Sequence, residues 1–217
     1  MGILATITTP FRSSIGLVVL ACFLVLVTAC GSVFGRLWEA ETEALKREAV
    51  TVQNTFNAHK QQRLSEIERY AASNAAYQNI DQSFSQAWVE TRFGEELARD
   101  SNYNGTFLMA PNGEIVFENI PQEESWSAAD VQRLMSKKRT FADIRDNFFV
   151  AAQSLPETGS FSGHFPALSN IEVVTFGEEV ALAASFAIVP DPGGIALTAQ
   201  APHILVAVYC IDADYLS

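Results

Sequence analysis

The sequence is poor in cysteine, in basic residues and in histidine, and each scarcity closes off a class of protein. Its 217 residues include three cysteines, at Cys22, Cys30 and Cys210. The first two sit in an apolar run, so the rest of the chain holds a single thiol and cannot form an internal disulfide. Cys210 lies in a β-prone stretch and is expected to be buried there as a small hydrophobe. Fourteen Lys and Arg stand against 25 Asp and Glu, a formal net charge of −11. A nucleic-acid partner is excluded, because such surfaces need a basic footprint. His59, His164 and His203 are scattered without metal-ligand spacing, and neither a metal nor a cofactor is expected. No glycine-rich phosphate loop occurs. The frame Gly159-Ser160-Phe161-Ser162-Gly163 has Phe161 where a nucleophile elbow needs serine. No catalytic set is found, and no enzyme activity is expected of this chain. Asp143 and Asp146 read as a solvated helix face.

Acidic residues are absent altogether from the first 38 positions. There Ile15 to Gly35 (IGLVVLACFLVLVTACGSVFG) runs for 21 residues without a charge. As a helix it would reach roughly 31 Å, the thickness of a bilayer's hydrocarbon core. Three readings stay open. An uncleaved anchor fits the length; Arg12 precedes the run and Arg36, Glu39, Glu41 and Glu43 follow it, and the lack of any acidic residue in the N-terminal flank favours a cytoplasmic N-terminus. A cleaved signal peptide would need a shorter apolar core. A lipoprotein signal would use Leu26-Val27-Thr28-Ala29-Cys30, with Cys30 lipidated. The anchor is preferred because apolar character continues through Phe34 to Leu37 and Trp38. All three place the remainder outside the cytoplasm. The expected division is a tail over 1–14, a transmembrane helix over 15–35, a long helix over 36–79 and a sensor-like domain over 80–217. The last is large enough for one core and too small for two.

Leu45, Ala49, Val52, Phe56, Leu64, Ile67 and Tyr70 recur mostly at steps of three and four, with Lys60 interrupting. This is an amphipathic helix with coiled-coil tendency, and a homodimer through it is expected. Ser85 to Arg99 reads as a second helix that Gly94 threatens to break. Thr106–Ala110 and Glu114–Glu118 form a hairpin, with Asn112-Gly113 supplying positive-φ turn positions. Ser127-Ala128-Ala129-Asp130 resembles a capping box opening a helix to about Lys138. A further helix covers Phe141 to Ser154, and a loop covers Leu155 to Asn170. Ile171–Phe176 and Val180–Val189 make a second hairpin, which Pro190-Asp191-Pro192-Gly193-Gly194 ends. His203 to Ile211 is a buried strand. Asp212 to Leu216 starts a helix as the chain stops, which reads as a fragment of a longer receptor. Asn104-Gly105-Thr106 matches a glycosylation sequon by pattern alone.

The order of these pieces resembles a known family. Its marks are Ala71, Asn74, Ala76, Asn79 and Ile80; Trp88, Val89, Arg92, Phe93, Gly94 and Leu97; Pro111 and Gly113; Ile188, Val189, Pro190 and Asp191; and Asp212 with Leu216. Together they resemble the fourth class of CHASE domains, extracellular sensors of bacterial GGDEF/EAL-type receptors and histidine kinases. Ser73 and Ala75 stand where relatives commonly carry an aromatic and an acidic residue. The resemblance covers roughly residues 40–217. It implies an α+β, Cache/PAS-like domain with a central antiparallel sheet, a bacterial inner-membrane location with the sensor periplasmic, an unidentified small-molecule ligand, and a link to cyclic-diguanylate turnover through an output domain elsewhere. Read from the residues, Tyr77, Trp88 and Arg92 are the candidates for a ligand pocket. An aromatic wall with one guanidinium suits a small carboxylate. The competing reading makes Trp88 core and Arg92 a structural partner.

Overall fold

The structure, a computed structural model, describes residues 9–121, 126–136, 138–153, 168–176, 179–195, 197 and 200–211. For 9–21, 29–31, 33–40, 128 and 138 it describes the helical backbone alone. The chain divides into two compact units, Met1–Asn54 and Thr55–Ser217.

Helix α1 (Thr9–Ala71) is 63 residues long. In the first unit its described side chains face outward, including five consecutive apolar ones from Phe23 to Val27. Among the described residues no helix is long and apolar enough to cross a membrane. Most side chains of the 15–35 run lie outside those residues, so the expected transmembrane helix has no support from them. In the second unit the helix turns its apolar stripe inward. Phe56 and Leu64 are half-buried, and Ile67, Tyr70 and Ala71 are fully buried.

The helix expected to continue to residue 79 ends at Ala71 instead. Ala72 leaves the spiral to form a parallel bridge with Val189, whose N–H donates to Ala71 O at 3.3 Å. Ser73 is extended (φ −147°, ψ 147°), and its Oγ accepts from Ala76 N, so it caps a new helix, α2 (Asn74–Tyr77). This continues as a π-helical turn over Gln78–Gln82. The helix read from Ser85 onward is present as α3 (Gln86–Val89), a π-helical stretch Glu90–Glu96 and α4 (Leu97–Ser101). Gly94 does not break it. The helix widens instead, and Asn119 Nδ2 donates to Gly94 O at 2.9 Å. Asn102 then closes α4 in the left-handed conformation (φ 53°), which Asn tolerates better than most residues.

Five strands follow: β1 (Gly105–Met109), β2 (Ile115–Asn119), β3 (Ser169–Phe176), β4 (Glu179–Ala187) and β5 (Ile204–Cys210). They form one antiparallel sheet in the order β2-β1-β5-β4-β3. The expected α+β class with a central antiparallel sheet is thus present. The β1–β2 turn differs in detail from the expected one. Gly113 has φ 90° and donates to Ala110 O at 2.9 Å, while Asn112 keeps a negative φ. Pro111 and Asn112 therefore occupy an ordinary type I turn, and only Gly113 takes the left-handed position. The extra residue slips the register between Leu108 and Met109.

Ser127 caps α5 (Ala128–Met135) with the full capping box to Asp130. Helix α6 (Lys138–Gln153) packs on β3 and β4 and buries Phe141, Ile144 and Phe148, while Asp143 and Asp146 stay exposed. The central strands are covered on both faces: Ile204–Val208 and Ala181–Ala187 are buried throughout. Cys210 is less buried than expected, because it lies at the strand's end, where Sγ is 3.5 Å from Glu179 Oε2. The loop Leu155 to 167, with His164, and the terminal Asp212 and Leu216 lie outside the described residues, as does the side chain of Cys30.

Candidate functional site

Two of the family-like motifs meet at one corner of the second unit. Asn74 N donates to Asp191 Oδ2 at 3.1 Å, and Asn74 Oδ1 accepts from Asp191 N (3.2 Å) and Ile195 N (3.3 Å). Two short motifs, each weak in sequence, thus form one reciprocal clasp between α2 and the segment after β4. Gly194 fits because a Cβ there would stand 2.3 Å from Asn74 Oδ1. Asn79 acts locally, its Nδ2 donating to Ala75 O. A second clasp lies beside it. His203 Nδ1 and Asp81 Oδ1 are 2.5 Å apart, and the same carboxylate accepts from His203 N at 3.3 Å. Phe84 stacks on the imidazole at 6.3 Å. Both side chains are largely buried, so the pair fixes the start of β5 to the π-helical turn Gln78–Gln82.

Tyr77, Trp88 and Arg92 occupy distinct settings. Tyr77 is fully buried, one of the largest core side chains. Trp88 is half-buried and meets the core ring of Phe93 edge-on, 5.5 Å between centroids. Arg92 lies 4.5 Å from the Tyr70 ring centroid and ion-pairs with Glu96. Tyr70 in turn donates to Asp100 Oδ2 at 3.0 Å. Burial, with this bond and the Asp100 charge, raises the tyrosine's pKa, and the same bond lowers that of Asp100.

An equally dense node surrounds Arg63 of α1, whose side chain is 12 % exposed. It donates to Glu66 (2.8 Å) and to Ser101 O (2.7 Å), and its guanidinium lies 3.7 Å from the Tyr209 ring centroid. Tyr103 OH donates to Arg63 O at 3.0 Å. Burial, reinforced by Glu66, pushes the Tyr103 pKa well above the ordinary tyrosine value. The node locks the final turns of α1 to β5 and to the chain around Ser101. Sequence periodicity marks Ile67 and Tyr70 as core, but nothing local marks Arg63. Asn104 of the sequon pattern is also structural, since its Oδ1 accepts from Cys210 N at 2.8 Å.

The described concavity lies elsewhere. A groove of about 440 Å³ runs between β2 (116–119) and Gln86, Glu90, Gly94 and Glu95. None of Tyr77, Trp88 or Arg92 lines it, while three carboxylates do: Glu90, Glu95 and Glu118. Among the described residues no His, Cys, Asp or Glu group is placed to hold a metal ion.

No curated protein matches the chain in sequence. A family model does: the CHASE4 domain, over residues 55–217. The match starts where the second structural unit starts and takes in both halves of the Asn74–Asp191 clasp. By this match, and with the sheet and helices described, the chain belongs to the CHASE4 domain family, a family of sensory rather than catalytic domains.

Proposed function

We propose that this protein is a membrane-anchored, extracytoplasmic sensory module of bacterial signal transduction, held by the 15–35 segment with its N-terminus in the cytoplasm. The observation that carries the reading is the exposed apolar surface from Phe23 to Val27, five adjacent side chains each more than half exposed, on the helix that leads toward a sensory domain. Water would leave such a surface uncovered on every side of the helix, and lipid would cover it. Thr28 fits the same medium, since its hydroxyl is satisfied by Leu24 O and Val25 O of its own helix. The module takes a small-molecule ligand, with Tyr77, Trp88 and Arg92 as candidate contacts. It pairs as a homodimer through the exposed part of α1, and reports to an enzyme of cyclic-diguanylate turnover or to a kinase, without catalysis of its own. An alternative anchor is a lipid on Cys30, since Leu26–Cys30 resembles a lipobox.

Fusing alkaline phosphatase after Ser217 tests the topology. Phosphatase activity is expected with the full chain, and a cytoplasmic reporter such as β-galactosidase should stay inactive at the same point. Deletion of 15–35 should release the protein from membranes. The reverse reporter pattern would sink the reading. Palmitate labelling that disappears in Cys30→Ser would replace the helical anchor with a lipid one.

A further inference from the structure

Consecutive residues of a strand point to opposite faces of a sheet. The groove beside β2 touches all four of Val116, Phe117, Glu118 and Asn119, so it follows the strand's edge and not one of its faces. That edge is open. In the sheet order β2 pairs with β1 alone, so among the described residues its second row of N–H and C=O groups meets no strand. The opposite wall is the widened helix Gln86–Glu96, held against the strand by the Asn119–Gly94 bond. Carboxylates stand on both walls, Glu90 and Glu95 on the helix and Glu118 on the strand, and no Lys or Arg lines the groove. Gln86 Nε2 fixes Glu90 Oε1 at 2.9 Å.

From this we infer that the β2 edge is a docking site for an extended, lysine- or arginine-bearing segment of a partner protein, added to the sheet as a sixth strand. The backbone of β2 supplies register through hydrogen bonds that are independent of sequence. The carboxylates of the two walls select cationic side chains, which leave an added strand alternately toward each wall. Phe117 with Gly94 on one face of the strand, and half-buried Val116 on the other, give apolar surface along which the aliphatic stems lie. A cation without a backbone meets the charges and forgoes the edge. The site is independent of Tyr77, Trp88 and Arg92, and of how the chain is anchored.

The test uses the full chain in neutral detergent and a fluorescent, end-capped octapeptide Lys-Lys-Thr-Thr-Lys-Lys-Thr-Thr, which as a strand sends lysines to both of its faces. Saturable binding is expected, with amide shifts concentrated at 116–119, and it should weaken as salt rises. Replacing all three carboxylates (Glu90→Gln, Glu95→Gln, Glu118→Gln) should weaken it roughly tenfold, a few-fold per exposed pair. These side chains are exposed, so the variant should fold. The same peptide with alternate backbone amides N-methylated should fail to bind, as should its Glu-for-Lys counterpart. Absence of saturable binding overturns the inference. So does equal binding of the N-methylated peptide, or its displacement by spermidine at matched charge, since either would reduce the effect to counterion attraction.

Discussion

Asn74 and Asp191 are 117 residues apart in sequence and share one backbone-to-carboxylate bond and one side-chain-to-backbone bond. Removing the amide leaves two N–H groups, of Asp191 and Ile195, without their acceptor. The pair lies at the surface, where water can take over part of the loss, so Asn74→Ala should cost about 0.5–1.5 kcal/mol, read as a lower urea midpoint. An unchanged midpoint would mean that the clasp is not a source of stability. Tyr103 makes a prediction about pH. Its folded pKa is raised by burial, so its contribution is complete below the ordinary tyrosine value of about 10 and is lost as pH climbs toward the folded one. In that window the unfolded chain gives up its proton while the folded one keeps it, and stability falls. Tyr103→Phe removes the titrating group, so its urea midpoint should fall less steeply with pH above about 10 than the wild type's. Parallel profiles would show that Tyr103 does not carry the alkaline sensitivity. The sequence picked out Tyr77, Trp88 and Arg92 by residue type alone. Type said nothing of their neighbours, and the neighbours are what separate a core tyrosine from a guanidinium lying on Tyr70.

Among the elements, Gly94 and Gly105 are not equally demanding. Gly94 looked like a helix breaker, yet a Cβ there would meet Phe117 Cζ at an ordinary 3.4 Å. Gly105 drew notice only as the middle of a sequon, yet a Cβ there would stand 2.3 Å from Trp126 Cζ3. Gly105→Ala should displace the indole from β1 and lower the melting temperature by several degrees, as expected of roughly 1–3 kcal/mol of overpacking. Gly94→Ala should be close to neutral. The opposite ranking in a thermal-shift assay would refute the packing argument. Local patterns read the capping box at Ser127, the hairpins and the β5 strand well, because each is specified by neighbours within a few residues. The end of α1 was illegible for the converse reason. Ala71 and Ala72 are good helix formers, and the helix stops there because a bridge to Val189 and a cap at Ser73 compete better.

The whole molecule is a sensory-family domain joined to an apolar, helical N-terminal segment. Leu45 and Val52, one heptad apart on the apolar stripe, are each at least half exposed in the first unit, which is what a helix paired with its own copy would leave bare in one chain. With the native cysteines replaced, Ala49→Cys should crosslink in membranes under mild oxidation, and Glu48→Cys on an adjacent face should do so less. Equal or absent crosslinking at both positions would argue against pairing through this helix.

The sequence by itself determined the apolar run, the acidic balance, the α+β order of elements and the family, because each is written in composition, in short-range periodicity or in short motifs kept in order. Only the tertiary structure decided where α1 stops, that the Asn74 and Asp191 motifs are two halves of one clasp, that Arg63 is held on Ser101 O and Asp81 on His203, and that an acidic groove follows the β2 edge. Those facts depend on residues brought together across 38 to 122 positions by the sheet. Neither propensity nor periodicity carries information over that distance; the pairing of strands does.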